Sequence, residues 1–391
     1  MIMLRRRAVL GIALLAAGCF AASAKAQTLA KAQPQSAPGA AQEIVIGHVA
    51  CYNGPVQKDA IELGAGAQVY IDSVNERGGI DGRKLRILTA DDQFKPENTV
   101  RLIAEMKGKA VALLPITGSA NGAALVKANI LEIPLVGTIP SADIMREPFN
   151  RNIFHIRASD REQTERILEQ LTTVGLNKIA LLVPNNPFGD QSTKIAEAYL
   201  AKRNLKLAAN AVYLLAGPKA DVAPGLKALE GKSYQAVLMF GPPKSIAELV
   251  KALKTRGETA QLYALSYADS KLIIDTAGAE LAHGVVISQV MPNLNNKTMP
   301  IVRQFREDYA RYAKTKDAPT YFMIEGYISA RLIVEAIRRS KDASPDGVRR
   351  GLESLRTYDL GDYIVDFSPT RHQGSSFVDL SVIGGRGTLV Y

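Results

Sequence analysis

The feature that most constrains this chain is a regular alternation of short apolar runs with segments of helical period, sustained from Ile44 to Leu265. Such a beat specifies a parallel sheet with helices on both faces. Ile44 to Val49 reads as a strand, and Ala60 to Glu76 as a helix stopped by Gly78-Gly79. Strand Leu85 to Thr89, helix Thr99 to Met106, strand Val111 to Ile116, helix Ala123 to Leu131 and strand Ile133 to Val136 follow. The pattern restarts after Arg157: helix Arg161 to Val174, strand Ile179 to Val183, helix Gln191 to Lys202, strand Val237 to Phe240, helix Ser245 to Thr255 and strand Leu262 to Leu265. Two doubly wound units account for this most simply. Met299 to Lys314, Tyr321 to Arg339 and Pro345 to Leu355 then read as three successive helices, with Tyr363 to Phe367 and Phe377 to Ile383 as closing β segments. Helices without intervening strands cannot extend a parallel sheet by crossovers. They are expected to complete the first unit and the last strands the second, so that the chain crosses between units three times.

The N-terminus carries an export layout. Arg5, Arg6 and Arg7 precede an uncharged apolar run from Ala8 to Ala17, too short to cross a bilayer and followed by small residues. Cleavage after Ala24 or Ala26 makes residues 1–26 a signal peptide. Gly18-Cys19 offers lipid attachment as an alternative, but Ala16 stands where a larger aliphatic residue is usual, so a soluble periplasmic product is expected. Residues 27–42, rich in Ala, Gln, Pro, Ser and Gly, cannot bury a core and read as a flexible leader. The formal charge of +10 falls once the four basic residues of the signal leave. No dense basic block with interleaved aromatics exists, which argues against nucleic-acid binding.

Enzyme signatures are missing: no Gly-x-Ser-x-Gly, no His-Glu-x-x-His and no P-loop. Gly64-x-Gly66 falls inside a helical pattern and is assigned to helix packing. Cys51 reads as a small apolar residue at a strand end rather than a nucleophile, and His48 and His155 as satisfied polar groups rather than metal ligands. No cofactor or metal is expected.

Asn53-Gly54-Pro55, Asn75-Glu76-Arg77-Gly78-Gly79-Ile80-Asp81-Gly82, Asp91-Asp92, Phe188-Gly189, Thr276-Ala277-Gly278 and Gly284-Val285-Val286 occur in an order and spacing by which the chain resembles the type I periplasmic binding proteins of the leucine/isoleucine/valine-binding family, from Ile44 to Val382. The resemblance implies an α/β chain of two Rossmann-like lobes on a three-segment hinge. Residues 43–157 with 293–356 would form one lobe, and 158–292 with 357–391 the other. It also implies no catalysis, and delivery of a solute to the permease of an ABC importer. A monomer is expected. A sensory module reporting to a membrane receptor is the alternative, and a secreted enzyme a more remote one.

Open α/β sheets bind ligands beyond the carboxyl ends of their strands. The strand ends and the resemblance together give the candidate ligand-binding residues: Tyr52, Asn53, Gln57, Thr117, Gly118, Ser119, Pro140 and Ser141 from the first unit, Asp160 after the first crossover, and Phe188, Phe240 and Tyr267 from the second, with Pro140 and Asp160 implied by the resemblance. The helix after Ser119 presents unpaired N–H groups suited to a carboxylate. Ser119 and Ser141 read equally as helix caps. Phe188, Phe240 and Tyr267 end successive strands and read as an apolar ligand wall, with core packing as the other reading. The resemblance implies an acid against the ligand ammonium, but the matching position holds Tyr267. Asp269 and Asp160 are the acids nearby. A carboxylate solute, either an amino acid or an aromatic or other organic acid, is the expected ligand.

Overall fold

The computed structural model describes residues 42–216 and 219–391. The signal peptide at 1–26, Cys19 and all but the last residue of the leader lie outside them. No helix among the described residues is long and apolar enough to cross a membrane.

The first sheet is built by β1 (Ile44–Ala50), α1 (Gln57–Glu76), β2 (Leu85–Asp91), α2 (Pro96–Glu105), β3 (Ala112–Leu113), α3 (Ser119–Ala128), β4 (Leu135–Val136) and β5 (Ile153–Phe154). Its five strands are all parallel, in the order β2-β1-β3-β4-β5. β1 is buried at six of its seven positions, as a strand covered on both faces must be.

The second sheet begins after α4 (Asp160–Thr173), with β6 (Ile179–Pro184), α5 (Pro187–Ala201), β7 (Ala209–Ala216), β8 (Lys219–Asp221), α6 (Ala223–Leu229), β9 (Ala236–Met239), α7 (Pro243–Thr255), β10 (Gln261–Ala264), α8 (Ser270–Ala277), α9 (Ala279–Ala282) and β11 (Val286–Gln289). Next come α10 (Pro300–Tyr312), α11 (Tyr321–Ser340), α12 (Pro345–Glu353), the hairpin β12 (Tyr358–Asp359) and β13 (Ile364–Val365), then β14 (Asp379–Ile383) and β15 (Leu389–Val390). The sheet order is β15-β14-β11-β10-β9-β6-β7-β8, parallel from β11 to β7 and antiparallel at both margins.

Buried residues of α10, α11 and α12 share one core with Ile44, Ile46, Val136 and Phe154 of the first sheet. α11 lies against α1 at a crossing that glycine makes possible: a Cβ on Gly66 would meet the Met323 carbonyl oxygen at 1.8 Å, and one on Gly326 the Leu63 carbonyl oxygen at 2.0 Å. Gly66 therefore serves helix packing. One expectation needs correction. The segment Tyr363 to Phe367 does not extend the second sheet. Tyr363, Val365 and Phe367 are buried in the same core as Ile46, Phe154 and Ile333, and only β14 and β15 join the second sheet. Three aromatic or branched side chains at alternate positions find their apolar surroundings there, which outweighs chain order.

The chain passes between the two lobes before α4, after β11 and before β14. Two of these segments touch directly: the His155 N–H donates to the His372 carbonyl at 2.8 Å, and the Gly374 N–H to the His155 carbonyl at 2.8 Å. The Tyr363 hydroxyl lies within hydrogen-bond reach of the carbonyls of Ile156 and Val290, which belong to the first and second crossings.

Candidate functional site

In each sheet the winding reverses at one place, between β1 and β3 in the first and between β6 and β9 in the second. Ligands of open α/β sheets sit beyond the carboxyl ends at such reversals. Tyr52, Asn53 and Thr117 follow the first pair of strands; Phe188 and Phe240 follow the second.

The turn after β1 is held by Asp91 at the end of β2. Its Oδ1 accepts the N–H groups of Tyr52 at 2.9 Å and Asn53 at 3.1 Å, and its Oδ2 accepts the Asn53 side-chain amide at 2.8 Å. The Asn53 amide is thus committed to shaping the turn. The Tyr52 hydroxyl lies 2.7 Å from His48 Nδ1. Burial lowers the His48 pKa to about 4, so the ring is neutral at neutral pH. Cys51 is fully buried, which raises its thiol pKa and fits an apolar packing role. Gln57 is exposed at the start of α1.

Thr117, 1% exposed, immediately precedes the N-cap of α3, and its hydroxyl has no hydrogen-bond partner. Gly118 is the N-cap, with φ +87°, and a Cβ there would strike the Phe94 ring at 2.6 Å. Ser119 is exposed and makes no cap bond. Ser141 is not a cap either: its hydroxyl donates to the Ile139 carbonyl at 3.2 Å. The capping reading of both serines is therefore corrected. Gly118 takes the cap position because only glycine fits that φ beneath Phe94. Pro140 is buried, and its carbonyl accepts the Thr138 hydroxyl at 3.0 Å.

Tyr267 links the lobes. Its hydroxyl donates to Asp160 Oδ1 at 2.7 Å and accepts the Ser141 N–H at 3.0 Å. The Asp160 N–H in turn donates to the Ser141 carbonyl at 3.2 Å. Burial raises the Asp160 pKa to about 6, opposed by the Tyr267 hydrogen bond and by the charges of Arg146 and Arg157. Burial and the Asp160 charge push the Tyr267 phenol far above its ordinary range, so it stays protonated. Arg157 donates to the Ser266 hydroxyl at 2.8 Å, stands 5.7 Å from the centre of the Tyr267 ring and pairs with Glu325 of α11 at 3.6 Å. Arg146 donates to the carbonyls of Arg157 at 3.0 Å and Ser141 at 3.4 Å, and to the Gln373 side chain.

Phe188 stands edge-on to both Phe240, at 6.1 Å between ring centres, and Tyr267, at 6.2 Å. The expectation of three wall residues is corrected for Phe240. It is 1% exposed within the core of the second sheet, directly after a strand buried at every position, and its carbonyl accepts the Tyr213 hydroxyl. Phe188 and Tyr267 pack on that core with part of their surface free. Asp269 is the N-cap of α8, accepting the Leu272 N–H at 3.1 Å, and is ion-paired to Lys58 of α1 at 3.0 Å.

The structure therefore joins Ser141, Asp160 and Tyr267 in one hydrogen-bonded set, groups Phe188, Phe240 and Tyr267 as aromatics, and sets Thr117, Gly118 and Ser119 at the start of α3. Sequence reasoning missed Lys58, Phe94, Arg146 and Arg157. Arg157 carried a usable signal, a lone guanidinium in the run Ile153 to Ala158, which is otherwise apolar apart from His155. Among the described residues, no group of three or more His, Cys, Asp or Glu is placed to hold a metal ion.

Comparison with known proteins gives a consistent result. A family model described as periplasmic binding protein matches residues 43–383. The Leu/Ile/Val-binding protein BraC3 of Rhizobium johnstonii is 26% identical over 174 residues, 43% of this chain and 46% of that protein, so the chain aligns with less than half of its length. The crystal structure of an extracellular ligand-binding receptor from Verminephrobacter eiseniae is 29% identical, with a TM-score of 0.83 over 89% of this chain and 100% of that one. A substrate-binding periplasmic protein from Ralstonia solanacearum is 30% identical, with a TM-score of 0.81 over 89% of this chain and 99% of that one.

Proposed function

We propose that this chain, which belongs to the periplasmic binding protein family, holds a small carboxylate-bearing solute between its two lobes in the periplasm and delivers it to the permease of an ABC importer. The observation that carries the reading is the meeting of the two lobes at Tyr267, Ser141 and Asp160, beside the carboxyl ends of both sheets. Lobes joined by three crossing segments close as rigid bodies around a solute. In this reading the Thr117 hydroxyl and the free N–H groups of α3 receive the carboxylate, with Gly118 and Ser119 completing that seat. Phe188 and Tyr267 form the apolar wall, backed by Phe240. Tyr52, Asn53, Gln57 and Pro140 line the mouth of the first lobe.

The lobes divide as residues 43–157 with 293–356, and 158–292 with the end of the chain from 357, except that Tyr363 to Phe367 stays with the first lobe's core. The protein works as a monomer, as its hinge closure needs no second copy. Small-angle scattering with and without saturating solute tests the reading. Compaction with a binder and none with a non-binder is expected. Identical curves at saturation count against closure.

A further inference from the structure

We infer that Tyr267 sets the class of solute: a carboxylate that carries no ammonium group beside it. The inference rests on the solute-binding reading above and sharpens it. An ammonium ion taken out of water needs an anionic or several neutral acceptors, because an unpaired buried cation is costly.

Four acids at the mouths of the two sheets are already engaged. Asp91 receives four donors, from Tyr52, Asn53 and Gln93. Asp92 receives the Phe94 N–H, the Thr99 hydroxyl and the Asn121 amide. Asp269 receives the Leu272 N–H and Lys58. Asp160 is the acid at the junction of the lobes, and Tyr267 donates to it at 2.7 Å while the charges of Arg146 and Arg157 act on the same carboxylate. Asp59, on the first turn of α1, stands within the field of Lys58 and of the Glu62 and Asp269 carboxylates. Burial and the Glu62 carboxylate disfavour its charged form, and the charges of Lys58 and Arg157 oppose them.

Unused capacity lies mainly with donors. The Thr117 hydroxyl, Arg157 Nε and Gln163 Nε2 are buried without partners. Arg157 and Gln163 both flank Tyr267: one guanidinium stands over its ring, and the Gln163 side-chain oxygen accepts the N–H of neighbouring Ser266. Among the described residues, the buried unpartnered side-chain oxygens that can only accept are those of Asn121 and Glu325, the latter belonging to a carboxylate already paired with Arg157 at 3.6 Å. A site with spare donors and committed acids selects an anion over a zwitterion.

Calorimetric titration of the full chain with matched pairs tests this: leucine against 4-methylpentanoate, and phenylalanine against 3-phenylpropanoate. In at least one pair the acid without an amino group is expected to bind at least about ten-fold more tightly, the scale of one poorly compensated buried charge. Tyr267→Phe, which frees Asp160, is expected to narrow that ratio by improving the amino acid. Equal or tighter binding of leucine or phenylalanine by the wild-type chain overturns the inference and leaves solute binding intact. An unchanged ratio in Tyr267→Phe removes Tyr267 as its cause. Binding of neither member of any pair, together with binding of a solute lacking a carboxylate, overturns the carboxylate reading itself.

Discussion

Lys58 Nζ, on the second residue of α1 in the first lobe, lies 3.0 Å from Asp269 Oδ2, the N-cap of α8 in the second. The pair bridges the lobes while both side chains keep contact with solvent, 58% and 31% exposed. Exposed ion pairs contribute at most about 1 kcal/mol and weaken with salt. Lys58→Met is therefore expected to lower solute affinity by less than ~1 kcal/mol at low ionic strength, with the difference gone near ~1 M salt. Titration at the two ionic strengths checks this. A large, salt-independent loss would place Lys58 on the solute.

Arg157 and Glu325 form a different kind of pair, 3.6 Å apart and both 2% exposed. Arg157→Met removes one charge and leaves the other buried, and also strips the Ser266 hydroxyl of its donor. A loss of about 3–5 kcal/mol in denaturant-measured stability is expected. A loss under ~1 kcal/mol would show that the Glu325 carboxyl is neutral in the fold and has no need of Arg157.

Asp59 gives the pH dependence. Burial and the Glu62 carboxylate lift its pKa from an ordinary 3.8 to about 7. The folded chain holds this proton more firmly than the unfolded chain. The stability it contributes is full below about pH 4 and is lost as pH rises through about 7. Asp59→Asn is thus expected to raise stability at pH 8 by about 1–2 kcal/mol and to leave it unchanged at pH 4. Thermal unfolding at the two pH values reads the difference. A variant less stable than wild type at pH 8 would contradict the assignment.

Gly326→Ala places a methyl 2.0 Å from the Leu63 carbonyl oxygen, within backbone that cannot rotate away. The α1/α11 crossing must open, at a cost of about 1–3 kcal/mol or more. Unfolding by denaturant checks it, with Gly78→Ala as the comparison, where an added Cβ meets nothing but φ is +98°. Equal losses in the two would assign the cost at Gly326 to something other than the crossing.

Much of the fold was legible in the sequence because strands such as β1 and β6 are buried on both faces and stand out as unbroken apolar runs. β7 was missed for the opposite reason. It lies next to the sheet margin, and Val212 and Leu214 face solvent at 42% and 46% exposure, so its pattern mixes apolar residues on both faces. β11 was missed because its four residues include Ser288 and Gln289, whose burial is secured by hydrogen bonds to Gln163 and Ser381 that lie far away in sequence. The same limit applies at the site. The residue types at strand ends marked Ser141, Asp160 and Tyr267, but their meeting joins positions 107 and 126 residues apart. Phe240 was misjudged since an aromatic at a strand end looks alike whether it faces the cleft or the core.

Solute binding at the start of α3 is tested most directly by titrating carboxylates into the wild-type chain and into Thr117→Val, a change that keeps shape and removes the buried unpartnered hydroxyl there. The account predicts a single site in the wild type, and in the variant a loss of roughly 1.5–3 kcal/mol, the range for a hydrogen bond to a charged group. A carboxylate that binds both proteins with the same affinity would contradict it.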